Sequence, residues 1–251
     1  MRPFFLGGRA GHQHHVCRMN VLVPITLLLS PLLALQAIWV VLRVQRLPEA
    51  AGPRDGCVGT GPEMRLLILG DSSAAGVGVA DQSQALAAKT AVALGDTFRV
   101  TWRLKAQTGA TARDGLRWLT EMHAENFDAA LVVFGVNDCK NGFSRAAWRK
   151  NLTGLVQTLR QQNGAKMIVF MAVPPMGHFP LLPHPLRWVL GKRATQFDQD
   201  MLDVAAQMNV AFARPELSFD PRRMASDGFH PGAEVYTLCA QAAARAFKTS
   251  N

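Results

Sequence analysis

Apolar residues run almost without interruption from Val21 to Leu42, with Thr26, Ser30 and Gln36 as mild polar exceptions. About 22 residues at 1.5 Å each reach across a hydrocarbon core of roughly 30 Å, so the run predicts a membrane-spanning helix kinked at Pro24 and Pro31. Residues 43–63 then gather Pro48, Gly52, Pro53, Gly56, Gly59, Gly61 and Pro62, and that density of chain breakers predicts a linker.

From Met64 onward the pattern changes to short apolar runs separated by amphipathic ones. Met64–Leu69, Ala129–Phe134 and Lys166–Val173 have no polar face, as befits strands buried on both sides. Phe98–Leu104 alternates like a strand, and Val210–Ala213 gives a short last one. Helical stretches fall between them: Asp81–Leu94, Thr111–Met122 with Thr111 as N-cap, Ser144–Gln162, Arg193–Met208 and Gly232–Phe247. In Ser144–Gln162, the residues Trp148, Leu152, Leu155, Val156 and Leu159 share one face. Strands alternating with helices predict a three-layer α/β fold, a parallel sheet covered on both sides, with ligands at the carboxyl ends of the strands. The expected organisation is a tail over 1–20, a transmembrane or signal-anchor helix over 21–42, a linker over 43–63 and one domain over 64–251.

Composition supports a folded domain: 49% of residues are hydrophobic and 18% charged. The net charge of +9 is spread along the chain, with no stripe of Lys and Arg interleaved with aromatics, so nucleic acid is not an expected partner. The surplus suits an anionic membrane surface. Arg18 precedes the apolar run, Arg43 and Arg46 follow it, and Trp39 sits near its far end. The expected location is the bacterial inner membrane with the domain facing the periplasm, although arginines on both sides leave orientation open. Secretion after cleavage near Ala37 is the competing reading; the length of the run favours an uncleaved anchor. Cys17, Cys57, Cys139 and Cys239 have neither redox nor zinc spacing. His12, His14 and His15 read as incidental residues of a tail, so no metal is expected.

Three short motifs carry chemistry. Gly70-Asp71-Ser72-Ser73 ends the first buried strand and places Ser72 at its carboxyl end. Gly135-Val136-Asn137-Asp138 ends another and brings the Asn137 amide, a good oxyanion donor, to the same edge. Asp227-Gly228-Phe229-His230-Pro231 precedes the last helix. Gly228 permits an unusual backbone angle, so Asp227 can fold back on the His230 ring and leave its other nitrogen free to take a proton. Each motif alone reads more simply as a turn or cap. Together, in this order, they form a nucleophile, an oxyanion donor and an oriented base.

The set GDSS, a later Gly109, GVND and DGFHP resembles the four signature blocks of the SGNH/GDSL hydrolases over about residues 64–248. The resemblance implies a flavodoxin-like parallel sheet and a serine esterase that needs no cofactor. It implies Ser72 as nucleophile, His230 as general base and Asp227 as its orienting acid. The oxyanion hole would consist of the Ser72 and Gly109 backbone N–H groups and the Asn137 side chain. Ser73 stands where many members have leucine.

The stretch from Pro174 to Trp188 is long and apolar for a connection. It is expected to wall the site and accept an acyl chain, to pack over the core, or to touch a bilayer. His178 and His184 within it lack a carboxylate at close spacing, and His123 reads as a helix-surface residue. An α/β-hydrolase is excluded, because it would place the serine in G-x-S-x-G and the acid far from the histidine. A membrane-anchored acyltransferase or deacetylase acting on sugar esters, and an inactive binding protein of the same fold, remain alternatives. The expected partners are a small-molecule, lipid or sugar ester and, through 21–42, the membrane.

Overall fold

The computed structural model describes residues 22–122, 125–216 and 220–249. The expectations for residues 1–20, Val21 and His123 lie outside them.

The apolar N-terminal run forms two helices, α1 (Leu22–Leu28) and α2 (Ser30–Arg43). The break has a local cause. Pro31 has no N–H for the carbonyl of Leu27, which instead accepts the Ser30 hydroxyl at 2.8 Å. Among the described residues no helix is long and apolar enough to cross a membrane, so the expected span over 21–42 is not shown. α2 lies against the domain. Leu33 is buried, and Gln36 donates to the His184 carbonyl at 2.6 Å and accepts from the Leu186 N–H at 3.0 Å. Gln36, one of the three polar exceptions in the run, ties the helix down.

The expected linker is also partly folded. Its glycines and prolines flank a strand, β1 (Asp55–Val58), apart from Gly56 within it, and Ala51 forms a bridge with Asp81. The core sheet follows with β2 (Glu63–Gly70), α3 (Leu86–Leu94), β3 (Arg99–Ala106) and α4 (Ala112–Glu121). Next come β4 (Ala129–Val133), a short α5 (Val136–Lys140), α6 (Arg145–Gln161) and β5 (Met167–Met171). The chain ends with α7 (Leu186–Gln207), β6 (Ala211–Ala213) and α8 (Ala233–Thr249). The strand order is β1-β3-β2-β4-β5-β6. β1 runs antiparallel to β3, with Asp55 opposite Arg103 and Val58 opposite Val100, so the sheet is mixed rather than wholly parallel. The other five strands are parallel in the flavodoxin-like order.

Side chains alternate across each strand and feed two cores. Leu67, Leu69, Ala130, Val132 and Phe170 face α4, α6 and α7 through Trp118, Trp148 and Phe197. Leu66, Ile68, Leu131 and Val169 face α3 and α8 through Leu94, Tyr236 and Phe247. The strand order reverses between β2 and β4, opening a crevice at their carboxyl ends. Ser72 and Asn137 flank it. Cys57, Cys139 and Cys239 are free thiols.

Candidate active site

The site assembles from three loops at the carboxyl edge of the sheet. After β2, the buried Asp71 carboxylate accepts the Ser73 N–H at 2.9 Å, and the Val77 N–H donates to the Ser72 carbonyl at 3.0 Å. This tight turn holds Ser72 at the strand end. The buried Tyr236 hydroxyl donates to the Val77 carbonyl at 2.6 Å and locks α8 to the same turn.

The loop before α8 carries the other two residues. The Ala225 N–H donates to the His230 carbonyl at 2.8 Å, closing residues 225–230 into a compact hairpin. Gly228 takes φ +64°, so the chain reverses and brings Asp227 back on His230. One Asp227 oxygen accepts the backbone N–H groups of Phe229 and His230, both at 2.9 Å. The other lies 2.6 Å from His230 Nδ1, and His230 Nε2 lies 2.9 Å from the Ser72 hydroxyl. A carboxylate only accepts, so Nδ1 carries the proton and Nε2 faces the serine as acceptor. Burial works to raise the Asp227 carboxyl. The bonds from the His230 ring and the two backbone N–H groups outweigh it and hold the group below its ordinary value, ionised.

Asn137 lies in the first turn of α5, not on the strand itself, and is buried. Its amide donates to the Ala110 carbonyl at 2.8 Å. An amide nitrogen has two hydrogens, so one remains for a ligand. Asp138 accepts the Ala112 N–H on both oxygens, at 3.1 and 3.2 Å. Together they grip both sides of residue 111, where a reciprocal Thr111–Asp114 capping box starts α4. Gly109 sits in this gripped turn at φ +86°.

Asp71 and Asp138 have structural roles that motif reading did not assign. Burial pushes the Asp71 carboxyl up to about 6, against the Ser73 N–H and the His230 ring. Burial, and next the neighbouring Asp71, push Asp138 up to about 7 against the Ala112 N–H. Acids directly after buried strands were the available signal; which amides they hold is non-local.

Beside Ser72 and His230 lies a cavity of about 320 Å³, walled mainly by apolar side chains including Val133, Met171, Val173, Phe179 and Phe229. The 174–188 stretch divides between its expected roles. Pro174, Pro175, His178 and Phe179 line the cavity, while Met176 and Leu182 are buried in the core. Phe179 and Phe229 meet edge to face at 5.0 Å, and Phe229 meets the His230 ring the same way at 5.2 Å. The cavity wall and the His230 ring are thus one packed unit.

Residues 68–238 match the model of the GDSL-like lipase/acylhydrolase family. A GDSL-like esterase of Mycobacterium tuberculosis is 28% identical over 196 residues, covering 71% of this chain but only 60% of that protein's length. Among solved structures, TesA is similar with a TM-score of 0.60 at 23% identity, over 74% of this chain and 99% of the other. The esterase EstA of a Pseudoalteromonas species gives 0.55 at 21% identity, over 74% and 97%. The acetylxylan esterase Axe2 of Geobacillus stearothermophilus gives 0.56 at 19%, over 74% and 95%. At these identities the structural likeness speaks for the fold alone.

Proposed function

Because the chain belongs to the GDSL-like lipase/acylhydrolase family, we propose that it hydrolyses carboxylic esters through an acyl-enzyme on Ser72. The carrying observation is the unbroken contact chain from Ser72 to His230 to Asp227, at 2.9 and 2.6 Å. His230 Nε2 takes the hydroxyl proton as Ser72 Oγ attacks the ester carbonyl. Asp227 holds the ring in the required tautomer and stabilises the imidazolium that forms. The Ser72 and Gly109 backbone N–H groups and the free Asn137 hydrogen receive the negative oxygen. Collapse expels the alcohol, which takes its proton from His230. Water, deprotonated by the same ring, then releases the acid and frees Ser72.

The cavity suggests the acyl group. Its volume of about 320 Å³ is roughly twice that of a 150 Å³ apolar cavity able to take up benzene. Apolar walls of that size suit a chain longer than acetyl and favour this reading over a sugar deacetylase. The test is hydrolysis of p-nitrophenyl acetate, butyrate and octanoate by the full chain. Turnover should vanish in Ser72→Ala, persist in Ser73→Ala, and favour butyrate or octanoate over acetate. Preference for acetate would reject the chain-length assignment, and equal rates in Ser72→Ala and the wild type would reject the mechanism.

The helices α1 and α2 support a lipid surface as the place of action. Neither contains an acidic residue. Leu28, Leu35 and Leu42 are 81%, 66% and 79% exposed, and the Arg43 guanidinium lies 5.5 Å above the Trp39 ring. Such a face suits lying in the headgroup region, with Arg43 and Arg46 toward anionic lipid, rather than crossing the bilayer.

A further inference from the structure

We propose that Glu49, which precedes the family-matched region, is a positioning residue that fixes the oxyanion loop from outside the catalytic motifs. One Glu49 oxygen accepts the Thr108 N–H at 2.6 Å and the Thr108 hydroxyl at 2.8 Å. The other pairs with Arg54, whose guanidinium also donates to the Ala106 carbonyl at 2.7 Å. Thr108 immediately precedes Gly109, whose N–H is an assigned oxyanion donor. The peptide that presents this N–H is therefore held on both sides. Asn137 and Asp138 hold residues 110 and 112 from α5, and Glu49 and Arg54 hold 106 and 108 from the chain before β2.

The contact is specific in its chemistry. Burial works to raise the Glu49 carboxyl, but the Thr108 hydroxyl and amide and then Arg54 outweigh it, so the group stays ionised. A carboxylate near a developing oxyanion would oppose it; pairing with Arg54 offsets that charge and leaves the geometric effect. The turn contains Gly109 at φ +86°, where a Cβ would meet nothing within 4 Å. No side-chain packing restrains the turn on that side, and the bonds from Thr108 to Glu49 supply a restraint beside it. The same N-terminal segment also touches the acid-base loop, where the Ser226 hydroxyl donates to Gln45 at 3.1 Å.

This inference rests on the esterase reading, so its test needs a readout independent of turnover. In the full chain, Glu49→Ala should strip the Thr108 amide of its protection from hydrogen exchange. It should lower kcat roughly tenfold with KM unchanged, less than the 10²–10³ for losing a donor outright. Inhibition by a trifluoromethyl ketone, which forms a hemiketal oxyanion on serine, should weaken by the same factor. Glu49→Gln keeps one acceptor oxygen for Thr108 and should restore most of the amide protection, the kcat and the inhibition. Unchanged kcat in Glu49→Ala, a loss seen only in KM or only alongside unfolding, or a Gln variant no better than Ala would overturn the assignment. If the amide loses protection while the wild type shows no Ser72-dependent turnover, the esterase reading fails and this role falls with it. Retained protection in Glu49→Ala refutes the tether itself.

Discussion

In the proposed mechanism Asn137 combines two duties in one side chain. One hydrogen holds the Ala110 carbonyl and the other is left for substrate. Asn137→Ala should therefore cut kcat by roughly 10²–10³, with KM little changed. A loss below tenfold in steady-state hydrolysis would remove it from the oxyanion hole. Asp138 makes a different prediction. Burial pushes its folded carboxyl up to about 7, above the ordinary 3.8. The folded state then binds more protons than the unfolded state between those values, so the group costs stability as pH rises through that window. Asp138→Asn keeps an acceptor for Ala112 and removes the cost. Its melting temperature relative to wild type should rise by a few degrees between pH 4 and pH 8; a constant difference would contradict the assignment. The residues of DGFHP were legible because their contacts span three positions. Glu49, Asp71 and Asp138 were not, since what they hold depends on how distant loops meet.

α7 shows what element boundaries depend on. Sequence pattern starts a helix at Arg193, after the long apolar stretch from Pro174 to Trp188. The helix begins at Leu186, and Gly191 lies inside it against Gly177, in the turn beside the cavity. A Cβ at Gly191 would lie 2.7 Å from the Gly177 Cα and 2.9 Å from its nitrogen. Gly191→Ala gains about 0.5–1 kcal/mol of helix preference. Overpacking against backbone costs roughly 1–3 kcal/mol, so the net effect should be destabilising. The displaced turn should also shift ester chain-length preference through His178 and Phe179. A higher melting temperature with unchanged preference would show the contact to be loose. The break at Leu29 was visible in Pro31, but tolerance of proline in membrane helices hid its consequence. β1 was hidden because Gly- and Pro-rich segments mark turns as readily as linkers.

At the scale of the molecule, the order of five parallel strands was implied by family resemblance and is present; the sixth, antiparallel strand was not foreseen. That order puts the loops after β2, β3 and β4 along one edge of the sheet. α2 joins this body through Gln36, at the start of α7. Replacing Leu35, Ile38 and Leu42 together by serine should reduce co-flotation of the full chain with phosphatidylglycerol vesicles at least tenfold, while hydrolysis of a soluble ester stays intact. Equal flotation would dismiss the lipid surface. The central claim, that Ser72 is a nucleophile activated by His230, is tested most directly by fluorophosphonate labelling followed by peptide mass spectrometry. The account predicts one adduct, on Ser72, absent in Ser72→Ala and formed far more slowly in His230→Ala. An adduct on Ser73, or labelling of Ser72 at an undiminished rate without His230, would contradict it.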